Sequence, residues 1–467
     1  MRKLAAAAGL ALALFGAAAD RPGTPDYAYV AAPQYDSAAW RNGRERFPAG
    51  AAVMLATAQG QRKLVPDFYA STDPAVSFDG LRILFAGKRT AAGPWQIWET
   101  AIAGGAPRQL TTADTDCIRP LYLPDGRVVY AKLLSREPAV QFIPMGHRQA
   151  EAVMSLSVRG SVIQVVPISG GAEPETLTFV PGWYLTDDVL HDGRILFEAS
   201  GFLLKGFETN GDLWTVYPDG TGVETIRCDH GPQRANARQV ASGDVIFNVG
   251  KRLARFTPAL AEQTGVPQPN LEAAGPGAEV SADRWLIPLR SSPTRPFHLY
   301  DWTKSSGQRV ELNPGAPGNA VEPVVVASRV PPRDFPSARV PTRTNGNLLC
   351  LNAHESKAPI AGDIATVRVF TEDAAGASVL LGQTVVESDG SFYVQVPADR
   401  PLRMELVGRS GAVTRAEKNW FWMRPSEQRI CVGCHAGPER SPENRVPEIL
   451  NRTTVPVNMT AIPGQTK

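Results

Sequence analysis

One theme recurs from about residue 27 to about residue 327 and constrains the fold more than any other feature of the chain. A polar turn ending in Asp-Gly, or a near variant, is followed by a short β-branched and apolar run. Ser77-Phe78-Asp79-Gly80 precedes Ile83-Leu84-Phe85, Leu123-Pro124-Asp125-Gly126 precedes Val128-Val129-Tyr130, and Leu190-His191-Asp192-Gly193 precedes Ile195-Leu196-Phe197. Weaker copies follow at Ser242-Gly243-Asp244 and Ser281-Ala282-Asp283. The turn aspartates lie roughly 40 to 65 residues apart, the spacing of one four-stranded unit per repeat with insertions in the loops. The 42 Gly and 40 Pro are spread along the chain, which fits many turns and few long helices. Six units are expected. The strands around Tyr27–Val30 and Ala52–Leu55 would share one with the strand near Val324–Val326, closing the ring and removing its free edges. An open β-sandwich with similar turns is the competing arrangement.

Each hairpin is followed by an aromatic or apolar strand and a Gly-rich turn, as in Gln96-Ile97-Trp98 with Gly104-Gly105 and Asp212-Leu213-Trp214 with Asp219-Gly220. This two-hairpin unit resembles the TolB-like or WD40-like β-propeller repeat, in degenerate copies. The resemblance implies a mainly β chain with a six-bladed TolB-like β-propeller over residues 20–329. A Pro-rich stretch, Val330-Pro331-Pro332 to Val340-Pro341, then reads as a linker over 330–343. Alternating strands at Leu348–Leu351, Thr366–Phe370, Val379–Val386, Ser391–Val396 and Leu402–Val407 suggest a small β-sandwich over 344–418. A separate C-terminal segment is expected over 419–467.

The chain opens with Arg2 and Lys3, an apolar stretch from Leu4 to Phe15, and Ala17-Ala18-Ala19 before Asp20. This is the pattern of a cleaved Sec-type signal peptide over residues 1–19, with an uncleaved anchor as the competing reading. A periplasmic or secreted protein is expected, with no membrane span in the mature chain. A formal charge of +2 over 467 residues gives no strong field of either sign, so nucleic acid is not expected as a partner.

Cys431-Val432-Gly433-Cys434-His435 is the sharpest chemical signal. Two thiols three apart can each add to a haem vinyl group while the next His reaches the iron from the same turn, so Cys431, Cys434 and His435 are the expected ligands of one covalent haem c. A redox Cys-x-x-Cys or half of a zinc site are the alternatives. Only 32 residues follow His435, too few to wrap a haem alone, so the sandwich or a propeller face must supply part of the pocket. Asn419-Trp420-Phe421-Trp422-Met423 could pack on a porphyrin or belong to an ordinary core. Met459, Met423 and His354 are the candidates for the sixth iron position, which could also stay open. Cys117, Cys228 and Cys350 are left over, an odd number for an exported chain. An insertion from Leu133 to Arg159, carrying Met145-Gly146-His147-Arg148, either overhangs the propeller mouth or is a solvated loop.

The stretch from Asp389-Gly390-Ser391-Phe392 through Cys431–His435 to Ser441-Pro442-Glu443-Asn444-Arg445, with a propeller before it, resembles the proteins related to the hydrazine synthase alpha subunit. That resemblance implies haem c on Cys431 and Cys434. It also implies, as the alternative, a zinc ion held by His435 and a distant Cys, for which Cys350 is the match offered here. The Tyr that ligates iron in the namesake has no counterpart, because Glu439 stands four residues after His435 and no Tyr follows Tyr393. The chain also lacks a second Cys-x-x-Cys-His. The expectation is therefore an exported haem protein in periplasmic electron transfer or small-molecule redox chemistry, with a redox partner protein. The rival is a propeller-based ligand- or protein-binding module whose haem or zinc is sensory or structural. No triad, phosphate-binding loop or carboxylate pair names a substrate.

Overall fold

The computed structural model describes residues 23–42, 44–134, 136–145, 149–158, 160–200, 211–227, 231–258, 262–357, 359–373, 377–417, 420–433, 441 and 443–462. The expected signal peptide lies outside them. The described residues are dominated by strands, with a five-residue α-helix at Glu448–Arg452 and a 3-10 turn at Ala39–Asn42. Among them no helix is long and apolar enough to cross a membrane.

The Asp-Gly turns act as their chemistry requires. Gly80 and Gly193 have φ of +76° and +90°, a region that glycine enters without strain. The side chains of Asp79 and Asp192 accept the amides two residues on, at 3.0 and 3.1 Å. The runs that follow, Ile83-Leu84-Phe85 and Ile195-Leu196-Phe197, are buried at every position. Unbroken burial, rather than alternation, means that both faces of these strands are covered.

Six antiparallel sheets, arranged like propeller blades, result. In chain order of their second strands they contain Tyr27–Ala32, Arg82–Lys88, Arg127–Leu133, Ile195–Ser200, Val245–Val249 and Arg284–Arg290. The first is completed by the late strand Asn319–Val325, which pairs Ala28 with Val324 and Val30 with Val321. The ring closes through this shared sheet, as the sequence suggests. The apolar clusters tell the same story. One cluster joins each consecutive pair of sheets, and a last one, with Leu286, Leu299, Tyr27 and Met54, joins the sixth to the first. Residues from Leu133 to Arg159 carry a long hairpin in which Arg136–Met145 pairs with Gln149–Val158; Gly146, His147 and Arg148 lie outside the described residues.

The inner strands bulge, and the bulges carry charge. Asp73, Arg119, Asn236 and Glu322 have φ between +52° and +56°, and their strands shift register at or beside these positions. Arg46, from the loop between the first two strands, donates to Asp73 at 2.5 Å and to Glu322 at 2.6 Å. Arg119 donates to Asn236 at 2.9 Å, and its amide donates to Asp73 at 3.1 Å. Burial alone would raise Asp73, but Arg46 and Arg119 hold it below the usual carboxylate range.

The Pro-rich stretch is docked rather than free. The Arg333 amide donates to the His191 carbonyl at 3.0 Å, Phe335 stacks on Tyr217, and Ser337 donates to Asp219 at 2.5 Å. Two four-stranded sheets follow, with Leu348, Val367, Val369, Phe392, Val394 and Leu402 in the core between them. The C-terminal residues are woven into the first of these sheets. Gln428–Gly433 and Val457–Asn458 are its outer strands, so the Cys-x-x-Cys-His motif begins on the sandwich itself.

Candidate functional site

The strand Gln428–Gly433 runs parallel to Asn345–Asn352, with Leu349 opposite Ile430 and Cys350 opposite Cys431. Side chains alternate across a sheet. Leu348 and Cys350 enter the sandwich core, and Cys431, half-buried, packs against the same cluster. Ile430, pointing the other way, is 63% exposed.

Several contacts fix this strand in place. The Asn347 amide donates to the Glu427 carbonyl at 2.8 Å. Upstream, Trp420 and Trp422 fill the cluster between the third and fourth blade-like sheets, and the Trp422 indole donates to the Gly220 carbonyl at 3.2 Å. Arg424, buried, donates to Asp399 at 2.8 Å, Glu175 at 2.6 Å and the Asp219 carbonyl at 3.1 Å, and its guanidinium lies over Phe179. The aromatic run before the motif is thus core that locks the sandwich to the ring.

Beyond Cys431 the chain meets the loop after Asn352. A Cβ at Gly433 would lie 2.5 Å from the Glu355 carbonyl oxygen and 2.9 Å from that of Asn352, so only glycine allows this approach. A cleft of about 350 Å³ opens beside it, lined by Leu351, Asn352, Glu355, Val432, Glu443 and Arg445 among others. Arg445 pairs with Glu443 at 2.8 Å. The cleft offers the apolar side chains of Leu351, Val432 and Pro447, the Arg445 guanidinium and the carboxylates of Glu355 and Glu443, while Cys431, next to Val432 on the strand, faces the sandwich core.

Burial pushes the thiols of Cys350 and Cys431 up, opposed at Cys431 by Arg429. Cys434 and His435 lie outside the described residues, as does Cys228. Cys117 is a buried free thiol between the second and third sheets, pushed up to about 12 by burial. Met423 and Met459 are both buried in the sandwich core, Met459 against Gly382. His354 is exposed on the loop beside Gly390. Among the described residues no three His, Cys, Asp or Glu side chains gather in a way that could hold a metal ion.

Sequence reasoning did not find the charges on the bulged strands. Their signal is a charged residue followed by Pro inside an inner strand: Asp73-Pro74, Arg119-Pro120 and Glu322-Pro323. Nor did it find Arg424, which follows the apolar run Trp420–Met423 and precedes a polar stretch.

Residues 348–436 match the family described as the hydrazine synthase alpha subunit middle domain. Hydrazine synthase subunit alpha of Kuenenia stuttgartiensis is 20% identical over 529 aligned positions, covering 86% of this chain. The chain spans 64% of that relative's length. The solved Kuenenia stuttgartiensis hydrazine synthase is similar in fold at a TM-score of 0.73 and 17% identity, over 91% of this chain and 71% of that one. TolB from Acinetobacter baumannii is a more distant neighbour, at a TM-score of 0.43 and 13% identity over 64% of this chain and 66% of that one. The chain is therefore hydrazine synthase alpha subunit-like, in sequence over its sandwich and motif strand and in fold along most of its length.

Proposed function

We propose that this is an exported, periplasmic c-type haem protein, in which Cys431 and Cys434 form thioethers to one haem, His435 ligates its iron, and a six-bladed TolB-like propeller is the scaffold. Its work is electron transfer or small-molecule redox chemistry with a partner protein. The observation that carries the reading is the position of Cys431: half-buried on an outer strand of the sandwich, with Gly433 allowing the loop at Asn352–Glu355 to close on the motif beside an open cleft. Of the proposed donors, Cys431 is held on a strand of the sandwich with its thiol toward the core. The cleft beside that strand presents Leu351 and Val432 as apolar surface and Arg445 as a cation suited to a propionate. A haem bound there would supply a one-electron couple, tuned by its axial ligands and by burial. The alternative of zinc on His435 and Cys350 has one of its two ligands outside the described residues. The likeness to a protein named as the alpha subunit of hydrazine synthase supports a redox role and a partner subunit.

The test is the visible spectrum, oxidised and reduced, of protein matured in a haem-attaching periplasm, with a Cys431→Ala, Cys434→Ala double variant alongside. A haem spectrum that survives denaturation and vanishes in the variant is expected. A low-spin reduced form means a closed electron carrier, and a high-spin form that shifts with carbon monoxide means an open iron. Colourless wild-type protein would overturn the proposal.

A further inference from the structure

We propose that Cys350 is the disulfide partner of Cys431 in the protein without haem, so that this buried cross-strand bond holds the first thiol of the motif until it is reduced.

Cys350 and Cys431 are direct partners in a parallel ladder. Neighbouring strands lie about 4.8 Å apart, inside the Cα separation of roughly 4.4 to 6.8 Å that disulfides span. In a parallel pair, residues in register point to the same face, and both thiols belong to the packing of the sandwich core. Both stand as free thiols in the structure. The pair is also fixed from both sides. Leu349 with Ile430 and Asn352 with Gly433 continue the register on either flank, and the Asn347 amide holds the Glu427 carbonyl. Neither strand needs to slide for the sulfurs to meet.

The exchange balances with an external protein disulfide as the oxidant. Cys431, the more exposed of the two, attacks one sulfur of that disulfide and releases a thiol. Cys350 then attacks the Cys431 sulfur and releases the second thiol. Two thiols of this chain are oxidised, one external disulfide is reduced to two thiols, and no proton or electron is left over. Burial raises both thiols, so opening is slow, while the second step is intramolecular and favoured by proximity. A thioether cannot form at a sulfur already held in a disulfide. The consequence for haem attachment rests on the reading above, whereas the bond itself does not.

The experiment uses the full chain, exported without the haem-attaching machinery and digested unreduced. Trypsin releases Cys350 in the peptide 344–357 and Cys431 with Cys434 in the peptide 430–440. The expected result is a reducible cross-link between these peptides that persists in Cys434→Ser and is absent in Cys431→Ser. Cys350→Ser and Cys350→Ala should both remove it while keeping cooperative unfolding. A cross-link that survives Cys431→Ser, or a Cys350 fully open to alkylation in unfolded, unreduced wild type, overturns the proposal. With the machinery present and reductant limiting, either Cys350 variant should take up several-fold more haem than wild type, and excess reductant should erase the difference. An equal uptake under limiting reductant overturns the gating step. A cross-link found in protein that takes up no haem under any condition upholds the bond and sinks the haem reading instead.

Discussion

Arg424 and Glu175 meet at 2.6 Å across the junction between the sandwich and the third blade-like sheet. Arg424 is buried, and its other donors are used by Asp399 and the Asp219 carbonyl. Glu175 also pairs with Arg339 of the Pro-rich stretch, so two arginines from the C-terminal side converge on one carboxylate. Three residues on, Glu427 accepts the Arg424 amide at 2.8 Å and the Gly222 amide at 3.1 Å. The motif strand therefore starts from a point fixed to the ring.

Removing that point should uncouple the two parts. Arg424→Met keeps the stem but removes the guanidinium from Asp399 and leaves Glu175 with Arg339 alone; both carboxylates are partly exposed, so the loss should be about 1–3 kcal/mol. Calorimetry should show a lower Tm and a single transition split into two. A wild-type melting profile would mean that Trp420 and Trp422 alone hold the junction.

The charged bulge at Asp73 makes a second prediction, with a definite sign. Asp73 is held below its ordinary value of 3.8 by Arg46 and Arg119 against the cost of burial. A depressed carboxylate contributes stability that is fully present above its unfolded value and is lost as pH falls through its folded one. Denaturant unfolding should thus weaken below about pH 4, and Asp73→Asn should flatten that limb while lowering stability at neutral pH. Burial and the nearby Asp73 raise Glu322, which therefore works in the opposite sense and should blunt the slope in wild type. An Asp73→Asn protein with an unchanged acid limb would assign the acid sensitivity elsewhere.

Gly433 carries a third. A side chain there meets the Glu355 and Asn352 carbonyl oxygens, which are backbone atoms that cannot swing away. Gly433→Ala should cost about 1–3 kcal/mol by overpacking, and the loop should lift from the motif. Thermal unfolding reads the first effect and the yield of covalent haem the second. Full stability in this variant would show that the loop is not held against the strand.

The closed ring was legible because its signals are local. Asp79, Asp125 and Asp192 each mark a turn that needs a glycine, and the apolar runs after them announce strands covered on both faces. Arg46, Asp73 and Glu322 were not legible, since a charged side chain reads as surface until the fold supplies its partner across 27 or 276 residues. At the candidate site, the spacing of Cys431, Cys434 and His435 is the local signal the sequence offers. The pairing of Cys350 with Cys431 depends on a parallel register between distant strands, which no local pattern encodes. The Pro-rich stretch read as a plain linker for the same reason: Phe335 finds Tyr217 only once the ring exists.

Met459 supplies the last test. Lying 24 residues after His435, it reads in sequence as a ligand candidate or as part of a loose tail. In the structure it is 2% exposed, its amide donates to the Gln395 carbonyl at 2.8 Å, and it packs on Gly382 within the sandwich core. A side chain so placed is a packing element. Met459→Ala should cost about 2–4 kcal/mol through the cavity it leaves, while the reduced spectrum of the haem-loaded protein keeps its band positions. Met459→Leu should restore most of the stability, because the swap nearly conserves volume. A change of spin state in both variants, with stability unaffected, would instead make the thioether an iron ligand and require the C-terminal strand Val457–Asn458 to leave its sheet.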